Sequence, residues 1–252
     1  MKFLFSNEHY QFFNVSDIPI THEKFAILNK SDLSDFIHLG KWYAEAEAIY
    51  NIYKCNLYKE YDYIGFIHWD FELRSENPII DSHVTETIEK IITQKEKFIS
   101  FSTFDFWEDY SQHMMMDLNF TNQLVGEGKN CYETIVEDYN LHFDALISVE
   151  YLMTKRINLC SSFMCEITVF KELMNYYCFI IESKKLDKFD TDHAYRFQGG
   201  MLERYIGCYS HPFNFAELPL YHRWSGYKDT QSTYSFRKLK SIKKLIGSII
   251  KK

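Results

Sequence analysis

The chain alternates between short apolar runs and longer segments in which apolar residues recur every three or four positions. The short runs are rich in β-branched and aromatic residues, which is typical of strands, and the longer segments have the period of helices. The alternation predicts an α/β fold with a mixed sheet and helices on both of its faces. Predicted strands are Lys2–Phe5, Lys24–Leu28, Tyr63–Ile67, Lys97–Ser102 and Leu159–Met164. Predicted helices are Trp42–Tyr58, Asp81–Gln94, Tyr132–Tyr139, Asp144–Met153, Val169–Glu182 and Tyr195–Tyr209.

The sequence predicts one domain and a separate tail. The four prolines and nine glycines of the 252 residues are scattered, and neither a Ser/Gly/Pro-rich linker nor a repeat interrupts the chain. A hydrophobic content of 46% is enough for one sizeable core. We therefore expect a single domain over residues 1–234, followed by a basic segment at residues 235–252.

Charge is distributed unevenly along the chain. The net charge is −7, but the last 16 residues hold seven basic and no acidic residues. The rest of the chain carries 21 basic and 35 acidic residues, a net charge of −14. A body this acidic repels a nucleic-acid backbone, so no nucleic-acid partner is expected.

The basic tail has the pattern of an amphipathic helix. From Phe236 to Ile250 apolar residues recur at three- and four-residue steps, which leaves most of the lysines on the other side. We expect this helix to bind an anionic membrane surface. The alternative is a helix that packs on its own domain with solvated lysines.

Targeting and redox features predict a location inside the cell. The N-terminus turns polar by Ser6, without a secretory signal, and no apolar run approaches the roughly 18 residues of a spanning helix. The six cysteines form no CxxC pair, as expected of free thiols. Together with the tail, this predicts a cytoplasmic protein that is peripheral at the inner face of the membrane.

The most informative stretch is the end of the predicted strand Tyr63–Ile67. Ligands of α/β sheets bind beyond the carboxyl ends of strands, so the residues after Ile67, Ser102 and Met164 are where we expect chemistry. His68, Asp70 and Glu72 alternate after Ile67, and in an extended segment their side chains share one side. Hard divalent cations prefer carboxylate oxygens and keep waters and substrate phosphates as further ligands.

Asp70 and Glu72 are therefore the candidate ligands of Mn²⁺ or Mg²⁺, with Asp70 the first choice. The alternative is a solvated strand end in which Glu72 forms a salt bridge with Arg74.

A second candidate cluster surrounds Gly199 and Gly200. Paired glycines at the start of a helix allow close backbone approach and expose N–H groups to an anion. Glu203 would serve as a general base, and Arg196 or Arg204 would balance phosphate charge. The alternative is an ordinary helix N-terminus with an internal Glu–Arg pair.

An acidic and aromatic segment follows the predicted strand Lys97–Ser102. Asp105, Trp107 and Asp109 are predicted to line an acceptor-sugar site, with a solvated loop as the alternative. The sequence contains no HExxH, GxSxG or paired Cys/His zinc spacing, which argues against a metalloprotease, an α/β-hydrolase and a zinc site.

Several blocks resemble a bacterial family of capsular and lipopolysaccharide glycosyltransferases formerly catalogued as a domain of unknown function. Glu45 to Lys54 and Asp62 to Trp69 resemble its pattern E-x-x-A-x-Y-x-x-x-K … DYIGxxHYRR. Asn158 to Met164 is similar to its N-M-F-I-M strand, and Gly200 to Arg204 to its GFxxERL block. The resemblance spans about Glu45 to Tyr209. It departs at one point, where His68-Trp69-Asp70-Phe71 stands in place of HYRR.

The resemblance implies a glycosyltransferase A fold that binds a nucleotide sugar and transfers a hexose or furanose. The acceptor would be a glycan or lipid-linked glycan of surface polysaccharide or lipopolysaccharide biosynthesis. His68 matches the family histidine and joins the glycines and arginines as an expected donor-binding residue, while Glu203 matches the family glutamate. Because two arginines are absent, we expect a metal on Asp70 to meet the donor phosphate.

Two alternatives stay open at this point. An unusual donor such as a phosphoribosyl diphosphate would also fit the altered motif. The protein could also be a non-catalytic carbohydrate-binding or glycan-assembly protein on the same fold.

Overall fold

The helices of the protein have defined bounds in the ranges for which its structure is described. The computed structural model describes residues 12–14, 16–21, 27–40, 42–66, 71–72, 89–90, 92–100, 103–105, 131–158, 161–188, 197–213 and 221–222. The helices in these ranges are α1 (Glu45–Lys54), α2 (Cys131–Phe143), α3 (Val149–Leu152), α4 (Ile167–Glu182) and α5 (Phe197–Ser210). Short 3₁₀ turns lie at Lys30–Asp32 and Lys185–Lys188.

The strands pair in both parallel and antiparallel directions. They are β1 (Phe12–Asn14), β2 (Ile27–Asn29), β3 (Tyr63–Phe66), β4 (Phe71–Glu72), β5 (Phe98–Ser100), β6 (Thr103–Asp105), β7 (Arg156–Asn158), β8 (Phe163–Glu166) and β9 (Tyr221–His222). Strands β1 and β2 are parallel. Strand β8 lies between β3 and β5 and is antiparallel to both. The pairs β4–β9 and β6–β7 are antiparallel. The predicted α/β class with a mixed sheet is confirmed.

The direction of β8 corrects one expectation about where ligands bind. In the register, Phe163 at the start of β8 lies opposite both Phe66 at the end of β3 and Ser100 at the end of β5. The end of β8, which includes Met164, therefore lies at the opposite end of the strands from Phe66 and Ser100. The segment that shares an edge with the ends of β3 and β5 is the one that precedes Phe163. We call this side of the sheet the Phe66 edge, defined by Phe66, Ser100 and Phe163.

The predicted strand Leu159–Met164 is wrong in its bounds. Strand β7 ends at Asn158, and β8 begins at Phe163. Between them Ser161 has a φ of +47°, in the left-handed region, which no strand residue adopts. Of the predicted strand, Phe163 and Met164 lie in β8, whereas β7 ends just before the run and belongs to a different sheet.

Several helices end at residues that sequence periodicity does not mark. Asn56 after α1, Asp144 after α2 and Lys184 after α4 have φ values of 59°, 50° and 54°. A left-handed residue just past a helix is the usual C-terminal stop, although glycine is its commonest occupant. The predicted helix Trp42–Tyr58 consequently overruns the end of α1 at Lys54, whereas Val169–Glu182 matches the end of α4.

The main core lies between one face of the β3–β8–β5 sheet and the helices. Alternation along β8 turns Phe163 and Cys165 inward, and both are fully buried. Phe163 stacks on Phe98 with a ring separation of 5.2 Å and contacts Phe66 at 5.4 Å. Each such burial contributes about 1.5–3 kcal/mol. Helix α4 supplies the facing apolar stripe, which consists of Val169, Phe170, Leu173, Met174, Tyr176, Tyr177, Ile180 and Ile181.

A buried ionic group ties α2 and α5 to the turn that follows α4. Asp138 of α2 is 5% exposed and accepts a hydrogen bond of 2.7 Å from the Tyr205 hydroxyl of α5. It also forms an ion pair with Lys185. These contacts hold α5 in place and with it every α5 residue predicted to act in the site.

Some predicted elements lie outside the described residues. These are the strand Lys2–Phe5, the tail at residues 235–252, and the predicted helix Asp81–Gln94 except for its end, where residues 89–90 and 92–93 are helical.

Candidate functional site

The Phe66 edge carries a buried polar network centred on Asn158. The side-chain oxygen of Asn158 accepts a hydrogen bond from the Ser100 hydroxyl. Its backbone N–H donates to the Ser210 hydroxyl at 2.9 Å, and Ser210 donates in turn to the Gly207 carbonyl at 2.7 Å. Asn158, Ser100 and Ser210 are each at most 1% exposed. The network joins the ends of β5 and β7 to the last turn of α5.

Gly207 allows α5 to approach this network closely. A Cβ atom at this position would lie 2.8 Å from the Asn158 carbonyl oxygen, a separation that real Cβ atoms essentially never show. The glycine is therefore needed for the close packing of the helix on β7.

Two polar atoms of this edge lack a hydrogen-bond partner in the part of the chain that is described. They are the amide nitrogen Nδ2 of Asn158 and the hydroxyl Oγ of Ser161. Asn158 is fully buried and Ser161 is 5% exposed. Most buried polar groups of proteins are hydrogen-bonded, so two such atoms only three residues apart in the sequence are unusual.

Glu203 lies on the face of α5 that meets this network. Glu203 precedes Gly207 by four residues and Ser210 by seven, spacings that place all three on one side of a helix. Gly207 and Ser210 contact Asn158, so Glu203 is one turn away on the same side. Its side chain is half-buried. Helical spacing thus places the predicted base on the same stripe of α5 as Gly207 and Ser210.

Tyr177 of α4 lies within the electrostatic reach of Glu203. Burial raises the pKa of Tyr177 well above its usual value, and the nearby carboxylates of Glu45 and Glu203 raise it further. Its hydroxyl is buried and has no hydrogen-bond partner among the described residues. Tyr177 consequently remains a neutral hydroxyl within the electrostatic influence of the candidate base.

Gly199 and Arg204 are buried, whereas Gly200 is half-buried. The Gly199 N–H donates to the Trp42 carbonyl at 3.0 Å, and a Cβ on Gly199 would lie 2.9 Å from the Tyr43 carbonyl oxygen. Arg204 is 3% exposed and donates to the Gly200 carbonyl of its own helix at 2.9 Å. Its charge also acts on the buried Cys131 of α2. Burial raises the pKa of Cys131 to about 12, and the positive charge of Arg204 opposes that rise.

Gly199 therefore provides close packing of α5 on the 42–44 turn, and Arg204 lies on the α2 side of the helix.

The remaining predicted site residues are described only in part or not at all. His68, Asp70, Trp107, Asp109 and Arg196 lie outside the described residues. Glu72 is in β4, opposite Tyr221, and Asp105 is in β6, opposite Arg156. His68 and Asp70 follow the last residue of β3 by two and four positions, so the chain leads to them from the Phe66 edge. Their predicted roles stay predictions.

Metal ligation is likewise a prediction. Within the described ranges no group of three or more His, Cys, Asp or Glu side chains is arranged to hold a metal ion, and Asp70 lies outside those ranges.

One motif of the sequence has a structural explanation. Tyr50 donates to the Glu182 carboxylate at 3.1 Å, and Lys54 pairs with the same carboxylate at 2.6 Å. These two positions of the E-x-x-A-x-Y-x-x-x-K pattern therefore join α1 to α4. Ser100, Asn158 and Ser161 were not among the predicted site residues, although polar residues within an apolar run were a signal that could have identified them.

The described part of the chain contains no helix with the length and apolar character needed to cross a membrane. Its strands and helices form a mixed α/β fold.

Comparison with known proteins supports that description of the fold. A solved structure titled as the apo form of WbbM, a bifunctional glycosyltransferase, superposes with a TM-score of 0.51 over 82% of this chain, at 15% sequence identity. The chain spans 44% of the length of that protein. No protein-family model and no curated protein matches the chain.

Proposed function

We propose that the protein is a glycosyltransferase that moves a hexose or furanose from an activated nucleotide-type donor onto a surface polysaccharide or lipopolysaccharide acceptor. The observation that carries the proposal is the likeness of its fold, over 82% of the chain, to that of a bifunctional glycosyltransferase. The unpartnered polar atoms of Asn158 and Ser161 add support, because within the described ranges they are free to bind a hydroxyl group of a sugar.

Glu203 is the proposed general base. Glycosyl transfer requires the removal of a proton from the acceptor hydroxyl as its oxygen attacks the anomeric carbon. The carboxylate of Glu203 would accept this proton, and its half-buried position within electrostatic reach of the neutral Tyr177 hydroxyl suits that task. His68, Gly200, Arg196 and Arg204 are proposed on the donor side, although the buried Arg204 would act through its charge and its hold on the first turn of α5.

The acceptor would lie against Asp105, Trp107 and Asp109, which follow β5. Aromatic rings offer sugars a flat apolar surface, and carboxylates accept hydrogen bonds from their hydroxyls.

A divalent cation, Mn²⁺ or Mg²⁺, is proposed on Asp70 and Glu72. Their carboxylate oxygens fit the preference of such ions, and Asp70 follows the strand that ends at the Phe66 edge. When bound, the ion would neutralise the charge of the leaving diphosphate.

The expected result of Asp70→Asn is a loss of turnover without a loss of folding. The substitution removes the charge that a cation requires, while the melting temperature should stay within a few degrees. Calorimetric titration with nucleotide sugars, with and without Mn²⁺, is the measurement. Wild-type binding should be strengthened by Mn²⁺, and the Asn variant should lose that gain. Wild-type transfer rates in the variant would refute the metal site, and donor binding without turnover in the wild type would favour a non-catalytic carbohydrate-binding protein.

The tail at residues 235–252 is proposed to attach the protein to the inner face of the membrane from the cytoplasm. Each basic residue near an anionic surface contributes roughly 1 kcal/mol, and the tail holds seven of them. We expect a chain that ends at Tyr234 to lose sedimentation with anionic vesicles, and the full chain to be released as salt rises. Equal binding of both chains would eliminate the tail as the anchor.

A further inference from the structure

We propose that Asn158 and Ser161 form a subsite that hydrogen-bonds a hydroxyl group of the bound sugar. The inference rests on the proposed function and makes it more specific, because it assigns sugar recognition to two residues that each have a buried polar atom without a hydrogen-bond partner in the described part of the protein.

The surroundings of Asn158 fix the direction of its side chain. Its backbone N–H is used by Ser210, its carbonyl packs against Gly207, and its side-chain oxygen accepts from Ser100. In this orientation Nδ2 has no acceptor among the described residues. If the amide were turned over, Ser100 would accept from Nδ2 and Oδ1 would be left instead. One polar atom of the amide is available to a ligand in either orientation.

Ser161, which lies between β7 and β8 in the chain, supplies a second polar group. Its hydroxyl is buried and unpartnered within the described ranges, and its backbone is in the left-handed region. Glycine would adopt this backbone more easily and would leave no buried hydroxyl, so neither backbone geometry nor packing explains a serine. Contact with a ligand does explain it.

The chemistry of the two groups selects an uncharged ligand oxygen. The amide N–H donates, and the serine hydroxyl both donates and accepts, which together suit a sugar hydroxyl. Neither group carries a charge, whereas phosphate is bound by cations or by bare backbone N–H groups. A carbonyl oxygen of the nucleotide base would accept from the same donors, and the experiment has to separate the two.

The test compares nucleotide sugars with the matching nucleotides. Binding of UDP-glucose, UDP-galactose, UDP-N-acetylglucosamine, GDP-mannose and TDP-glucose, and of UDP, GDP and TDP, is measured by calorimetry on the full chain. The variants are Ser161→Ala and Asn158→Ala, with Ser148→Ala as the control, because the Ser148 hydroxyl caps α3 by accepting from Tyr151 N at 3.1 Å. Ser161→Ala should keep or raise the melting temperature, since its hydroxyl has no partner to lose. It therefore remains informative if Asn158→Ala fails to fold.

We expect Ser161→Ala to weaken binding of the nucleotide sugar about tenfold, the effect of one or two lost hydrogen bonds, while the bare nucleotide stays within about twofold. Equal weakening of both would overturn the sugar assignment and place the base carbonyl at the subsite. Unchanged binding of both would overturn the subsite and leave the proposed function intact. Failure of the wild type to bind any nucleotide sugar would overturn both.

Discussion

Replacing Glu203 by Gln is expected to lower turnover by a factor of about 10² to 10⁴, with the affinity for the donor little changed. This is the usual contribution of a positioned general base, and Gln keeps the size of the side chain while losing the ability to accept a proton. Rates at saturating donor separate the effect on kcat from any effect on binding.

The matched control for Glu203→Gln is Glu172→Gln. Glu172 is an exposed carboxylate of α4 that accepts from Tyr209 at 3.3 Å, and the proposed reaction makes no use of it. Its substitution should leave kcat unchanged. A collapse of donor binding in Glu203→Gln, with normal turnover of the saturated enzyme, would make Glu203 a binding or structural residue and would move the base to Asp105 or Asp109.

Asp138→Ala is expected to produce a large loss of stability, about 3 kcal/mol. The substitution leaves the buried Tyr205 hydroxyl without its acceptor and Lys185 without its counter-ion. Breaking a buried ion pair by removing one partner costs about 3–5 kcal/mol, and the partial exposure of Lys185 places this case at the lower end. Denaturant unfolding at neutral pH measures the effect.

Two further variants isolate the parts of this buried group. Tyr205→Phe removes one hydrogen bond and leaves the ion pair, so about 1 kcal/mol is expected. Glu137→Ala, at the exposed neighbour of Asp138 in the same helix, should change stability by less than about 1 kcal/mol. A loss in Asp138→Ala no larger than in Glu137→Ala would contradict the placement of Asp138 between α2, α5 and the turn at Lys185–Lys188.

The elements that sequence pattern predicts best are those with a long, regular apolar stripe. Helix α4 begins two residues before the predicted start at Val169 and ends where predicted, because its buried residues recur at helical spacing over four turns. Ends marked by a left-handed residue are harder, since Asp144, just after α2, is neither glycine nor asparagine and gives no clear stop signal.

The sequence pattern does not predict the direction of the strands. Short apolar runs carry no information on whether neighbours are parallel, so residues after Met164 were expected at the same edge as those after Ile67. Because β8 is antiparallel to β3 and β5, Met164 lies at the other end of the strands. The segment that contains Asn158 and Ser161 leads to the Phe66 edge instead. Charge drew attention to Glu203, whereas Asn158 and Ser161 are neutral, and their buried polar atoms without a partner among the described residues are seen only in the structure.

The central claim is glycosyl transfer, and release of nucleotide from a nucleotide sugar tests it most directly. The full chain is incubated with the nucleotide sugars named above and Mn²⁺, with and without an extracted lipid-linked glycan, and free nucleoside diphosphate is measured. We predict that at least one donor is consumed, that the glycan accelerates its consumption, and that Glu203→Gln abolishes the acceleration. A folded wild-type protein that neither binds nor consumes any of these donors would contradict the account.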